Sequence, residues 1–119
     1  MTPRNAIELE VLEGLREVME EDFDDLLNDY LVQCDELWRE TCAYFEADDM
    51  VQLRRSAHTF KGSCLSIGAE PLMEQMKALE AAAAAGERDQ AARVIEAATS
   101  EIERVVATLE AWRGAGPAC

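Results

Sequence analysis

A single histidine occurs in this chain of 119 residues, and the side chains around it suit one kind of chemistry. On a helical wheel at about 100° per residue, Leu53, Ser56, Phe60, Ser63, Cys64 and Ile67 fall opposite His58. Those residues form a stripe suited to a core, so the imidazole points away from it. Arg54, Arg55, Lys61, Gly62, Val51 and Leu65 lie within about 60° of His58 itself. A neutral imidazole nitrogen near pH 7 is a nucleophile that can accept a phosphoryl group and later release it. Lys61 at i+3 and Arg54 at i−4 stand where either could offset the charge that such a group adds.

Gly62 at i+4 removes a side chain beside the ring. A glycine inside a helix costs about 1 kcal/mol relative to alanine, so it calls for a reason. Close packing on a neighbouring helix is the structural alternative, and the position of Gly62 on the His58 side argues against it. Clearance for another protein's active site fits better. Val51 and Leu65 then become exposed apolar residues beside the histidine, suited to docking.

The charge pattern marks the same stretch. The chain carries 25 acidic and 11 basic side chains, a formal charge of −14. Sixteen of the acids precede residue 50 and nine follow residue 69, so residues 50–69 hold none. Random placement would leave so long a gap with a probability on the order of one in a hundred. The overall charge disfavours nucleic acid and anionic membranes as partners, since both would repel the protein. The apolar fraction of 49% is enough for folding, and the length fits one domain spanning 1–119, with a core at about 7–112.

The elements that must position His58 read as helices. Phe23, Leu26, Leu27, Tyr30, Leu31, Cys34, Leu37, Trp38, Thr41, Cys42 and Phe45 form one apolar stripe over residues 21–47. A shorter helix before it runs through Ile7, Leu9, Leu12, Leu15 and Val18. Asp48-Asp49 closes the long helix and offers a cap for the next, which reaches about Ile67. Gly68 ends that helix, and Glu70-Pro71 opens a fourth, through Leu72, Met73, Met76 and Leu79 into the alanines 81–85. Gly86 stops it. A last helix uses Ala91, Val94, Ile95, Ala98, Ile102, Val105, Leu109 and Trp112, leaving residues 113–119 as a frayed tail. The expected fold is all-α: an antiparallel four-helix bundle with a short additional N-terminal helix. The alanine run is accounted for by helix propensity and close packing.

The four cysteines show neither a C-x-x-C pair nor the close spacing of a structural zinc site. Cys34, Cys42 and Cys64 read as small buried hydrophobes, and Cys119 as a free, exposed thiol. No apolar run approaches the roughly 20 residues needed to span a bilayer, and Met1-Thr2-Pro3-Arg4-Asn5 lacks a signal-peptide hydrophobic region. A cytoplasmic protein is the expectation.

The run Arg55-Ser56-Ala57-His58-Thr59-Phe60-Lys61-Gly62-Ser63-Cys64, with Ile67-Gly68-Ala69 and the later Leu79-Glu80, resembles the histidine-containing phosphotransfer (HPt) domain of multistep two-component phosphorelays. The family pattern is approximately A-H-x-[LF]-K-G-[SA]-[SAC]-x-x-[LIF]-G-A followed by L-E. The motif covers about a quarter of the chain, and the helical pattern extends the likeness over residues 7–112. Cys64 stands where a second small serine or alanine is common, a departure on the core face.

The resemblance implies that His58 accepts the phosphoryl group at its exposed ring nitrogen, that Lys61 stabilises it, and that Gly62 gives clearance. It implies a reversible carrier between two receiver domains, one on a hybrid sensor kinase and one on a response regulator. Val51, Arg54, Arg55, Gly62 and Leu65 are the expected partner-binding residues. The early helix, in such domains, caps the bundle beside the histidine, which would place Leu9, Leu12, Phe23 and Leu27 near the interface. No cofactor is expected on this chain, the Mg²⁺ being supplied by the receiver. The sequence itself contains no Gly-rich phosphate loop and no space for an ATP-binding domain, so no kinase activity is expected. The chain reads as a stand-alone carrier or as a module excised from a larger kinase, the start Met1-Thr2 favouring the former, and a monomer suffices for the role.

Two rival readings carry less of the sequence. An acidic helical interaction module without phosphate chemistry would not account for Lys61, Gly62 and the arginines gathering around an outward imidazole. A metal-binding bundle needs inward carboxylates or several histidines on facing helices, and one histidine exists.

Overall fold

A computed structural model describes residues 4–114; the anticipated frayed tail beyond Gly114, with the Cys119 thiol, lies outside the described residues. Five α-helices follow one another: α1 (Leu9–Met19), α2 (Phe23–Glu46), α3 (Met50–Ile67), α4 (Glu70–Ala84) and α5 (Arg88–Trp112). A single 3₁₀ turn, Glu20–Asp22, joins α1 to α2, and no strand occurs among the described residues. The connections between α2, α3, α4 and α5 span only residues 47–49, 68–69 and 85–87, which forces each helix to reverse against its predecessor. Contacts of α2 with α5 close the ring, so the all-α four-helix bundle with a short preceding helix is the observed architecture.

Local chemistry sets the ends of α3. The Asp49 carboxylate caps its first turn by accepting from the Gln52 amide at 3.1 Å. Gly68 ends it in the left-handed conformation at φ 81°, where the amide of Ala69 reaches back to the Cys64 carbonyl. Pro71 stands in the first turn of α4, where its missing N–H costs nothing.

One face of α3 is buried: Leu53, Ser56, Ala57, Phe60, Cys64 and Ile67. They meet Leu27 and Cys34 of α2, Leu72, Met76 and Leu79 of α4, and Val105 and Leu109 of α5 in one apolar cluster. Trp38 packs edge-on against Phe60 across α2 and α3, with ring centroids 6.3 Å apart. The polar atoms on this face are matched: the Ser56 and Thr41 hydroxyls share a 2.6 Å hydrogen bond, and Thr41 also bonds the Leu37 carbonyl. Burial pushes the Cys34 thiol up to about 11 and the Cys64 thiol up to about 12. Both behave as the small hydrophobes expected, whereas Cys42 is only half-buried.

The amino-terminal region differs from its expected form. Ile7 is fully buried but precedes α1, in a bend followed by Glu8, whose amide donates to the Gly68 carbonyl. The Arg4 guanidinium pairs with Glu70 and Glu74, and Arg104 of α5 donates to the Arg4 carbonyl. Val18, expected on the apolar stripe of α1, is 78% exposed. The apolar face of α1 runs instead through Leu12, Leu15 and Met19, and at about 100° per residue Val18 falls some 90° off its centre.

Val11 of α1 seats directly on Gly68. A Cβ at that glycine would come within 2.8 Å of Val11 Cγ2, and the backbone there has positive φ. Gly68→Ala is therefore expected to destabilise the fold by more than about 1 kcal/mol, read as a lowered Tm. An unchanged Tm would show that α1 does not lock the end of α3.

Candidate functional site

The α3 face opposite the core carries the residues expected there. His58 is exposed, its side chain retaining 67% of its surface, and it sits at mid-helix. Val51 and Leu65, seven residues to either side, are 64% and 60% exposed. They are two of only five large apolar residues so exposed among the described residues. Arg54, Arg55 and Gly62 are exposed too. At Gly62 an added Cβ would meet nothing within 4 Å, so helix packing does not explain this glycine.

The imidazole is not free to turn. Its Nδ1 lies 2.8 Å from Oε2 of Glu80 on α4, and Lys61 Nζ lies 2.8 Å from Oε1 of the same carboxylate. An ionised carboxylate only accepts hydrogen bonds, so Nδ1 carries the proton and donates it to Glu80. The neutral ring then bears its lone pair on Nε2, on the edge turned away from α4. The Lys61 ammonium, and after it the His58 hydrogen bond, hold the Glu80 carboxyl below the usual carboxylate range, outweighing the opposing effect of desolvation. Lys61 is thus engaged as well as near: it holds the second oxygen of the carboxylate that orients the ring.

Glu80 is the site residue that the sequence reading left without a role. Its signal was present in the Leu79-Glu80 pair. Leu79 is fully buried, so the next residue stands at the edge of the α3–α4 contact, on a level with His58 and Lys61. Only the register of α4 against α3 turns that into a contact.

Comparison with known proteins agrees with this arrangement. The family model for the Hpt domain matches residues 10–112. The crystal structure of histidine-containing phosphotransfer protein B (HptB) from Pseudomonas aeruginosa PAO1 is similar at 32% identity and a TM-score of 0.87. That likeness covers 93% of this chain and 96% of HptB. No curated protein gives a significant match. The chain is an Hpt domain. It is accordingly a histidine-containing phosphotransfer carrier of two-component phosphorelays, whose family works by interaction with receiver domains.

Within this Hpt domain, part of the expected docking surface moves. Leu12, Phe23 and Leu27 are core residues, at most 4% exposed, and cannot meet a partner. Phe23 stacks edge-on with Trp112, and Arg16 lies over that indole at 4.6 Å, which fastens α1 to α5. Leu9 alone of the four expected there is exposed, at 43%. The helix α1 covers the Gly68 end of α3, ten residues from His58, or about 15 Å along the helix. No helix among the described residues is long and apolar enough to cross a membrane, and no three of their His, Cys, Asp and Glu side chains gather as a metal site.

The depressed Glu80 titration has a sign that can be measured. Ionised Glu80 contributes stability fully present above its ordinary value of 4.5, and lost as pH falls below that through its lowered value. The Tm gap between wild type and Glu80→Gln is therefore expected at pH 7 and should close near pH 3. A gap that persists in acid would mean that the clasp of Lys61 and His58 does not act through an ionised carboxylate.

Proposed function

We propose that His58 is the phosphoryl acceptor of this Hpt domain and that Nε2 is the atom that bonds phosphorus. The observation that carries this is the pairing of a closed Nδ1 edge, held by Glu80, with an exposed ring whose other nitrogen has a free lone pair. The Nε2 lone pair attacks the phosphorus of an aspartyl phosphate on a receiver domain. The N–P bond forms, the P–O bond to the aspartate breaks, and the carboxylate departs with the electron pair. The product ring is a phospho-imidazolium whose Nδ1–H still donates to Glu80, so the carboxylate stabilises the positive ring. Onward transfer is the reverse: an aspartate attacks phosphorus and neutral imidazole leaves. No proton has to move in either direction.

The donor in this reading is the receiver of a hybrid sensor kinase and the final acceptor is a response-regulator aspartate. The receiver brings Mg²⁺, and the Hpt domain binds no cofactor and no ATP. Lys61, 24% exposed beside the ring, supplies positive charge at the phosphoryl group while remaining within reach of Glu80. Val51, Arg54, Arg55, Gly62 and Leu65 meet the partner. A monomer in the cytoplasm fits these roles, since one outward imidazole suffices.

Incubation with a phosphorylated receiver domain tests the acceptor. Wild type is expected to take up an acid-labile, base-stable phosphoryl group, and His58→Gln to take up none. Equal labelling of both proteins would end the proposal. Gly62→Glu, which points into open space, should leave the unfolding free energy within about 1 kcal/mol of wild type yet slow transfer at least tenfold, by bulk and by repulsion. An unaltered rate would remove clearance as the reason for Gly62.

A further inference from the structure

Two buried thiols take no part in phosphoryl chemistry, and the packing of α2 on α3 sets them face to face. Three contacts fix the register of these antiparallel helices: the Thr41 and Ser56 hydroxyls at 2.6 Å, the Trp38 and Phe60 rings, and Ser63 Oγ on Gln33 Oε1 at 2.8 Å. Cys34 lies one turn before Trp38, and Cys64 one turn after Phe60. The same register therefore places the two cysteines opposite each other. Both are core residues, 6% and 2% exposed. They line one internal cavity of about 10 Å³, walled also by Tyr30, Phe60, Ile67 and Leu109. The nearness of Cys34 adds to burial in raising the Cys64 thiol.

The neighbouring contacts show how close the two backbones come. Serine and threonine reach only one heavy atom beyond Cβ toward each other, yet their hydroxyls meet across α2 and α3. Cysteine has the same reach. A disulfide needs Cβ atoms about 4 Å apart and a dihedral of about 90°. The void beside the sulfurs leaves them room to rotate into that geometry.

We infer that Cys34 and Cys64 form a reversible disulfide, by exchange with a low-molecular-weight disulfide, that staples α2 to α3 on the core side of the bundle. The Cys34 thiolate attacks one sulfur of the small disulfide. A mixed S–S bond forms, and the first small thiolate leaves with the electron pair. The Cys64 thiolate then attacks Cys34 Sγ, the Cys34–Cys64 bond forms, and the second small thiolate leaves. The protein loses two electrons and two protons, which the small disulfide carries away as two thiols. Cys34 is the entry point, being the more exposed thiol and the less raised. Burial keeps either thiolate scarce in the closed bundle, so exchange proceeds slowly, through transient opening of α2 from α3. Closing the long loop from residue 34 to residue 64 restricts the unfolded chain and so stabilises the bundle.

The test equilibrates the full chain, with Cys42→Ser and Cys119→Ser to remove the other thiols, in a buffer of reduced and oxidised glutathione. After acid quenching and alkylation, mass spectrometry reads the Cys34–Cys64 bridge in the native protein and in guanidinium chloride. The native fold is expected to favour the bridge at least tenfold over the unfolded chain, and the bridged protein to melt at least about 5 °C higher. Dithiothreitol should restore the original Tm. Peptide mapping of the wild-type chain gives the same readout where the serine variants fold poorly. The bridge lies across α3 from His58, so bridged and reduced proteins should accept the phosphoryl group from a receiver at the same rate. A bridge no more favoured in the native fold than in the unfolded chain would overturn the proposal, as would a lower Tm. Loss of transfer on bridging would show that the bridge displaces α3, against the fit inferred here.

Discussion

One carboxylate has to satisfy two side chains. Glu80 gives an oxygen to His58 Nδ1 and the other to Lys61, and the rest of the site follows from this division. The proton is fixed on one ring nitrogen, so the other becomes the nucleophile. The lysine holds the other oxygen of that carboxylate, which fixes the acceptor that orients the ring. The arrangement requires α4 to lie at one height against α3. That height is set by the fully buried Ala57, Leu53, Met76 and Leu79, and by the short turn at Gly68-Ala69, which allows little slippage between the two helices. Core packing thus reaches the chemistry through register.

The α3 helix serves two incompatible demands by dividing them between its faces. Its inner face is apolar apart from a matched Ser56–Thr41 pair, and it contributes to the core at full density. Its outer face carries bases, a glycine and two exposed apolar residues, a composition that burial would not favour. The glycine weakens the helix by about 1 kcal/mol relative to alanine. Capping by Asp49 and the Gly68 terminus offset that cost, while the segment ahead of α1 ties down the far end.

The face carrying the histidine was legible in the sequence because a helical wheel needs only one periodic stripe, and α3 has a clean one. The boundaries of α3, α4 and α5 were legible from Asp49, Gly68, Pro71 and Gly86. Helix α1 was less so. Ile7 is as apolar as a helical core residue, yet it is buried in a bend ahead of the helix, and no local signal separates the two cases. The interface expected from Leu12, Phe23 and Leu27 failed for a related reason: apolar residues near a site in sequence pattern can be consumed by the core. The contacts of Glu80 depend on how two helices are set against each other, which periodicity within one helix does not encode.

The central claim is that the ring of His58 presents Nε2 and keeps its proton on Nδ1. Long-range ¹H–¹⁵N correlation NMR of the imidazole, before and after phosphorylation, reads this directly. The account predicts a protonated Nδ1 and a bare Nε2 in the free protein, then phosphorus bonded to Nε2 with Nδ1 still protonated. A proton on Nε2 in the free protein, or phosphorus on Nδ1 afterwards, would contradict it.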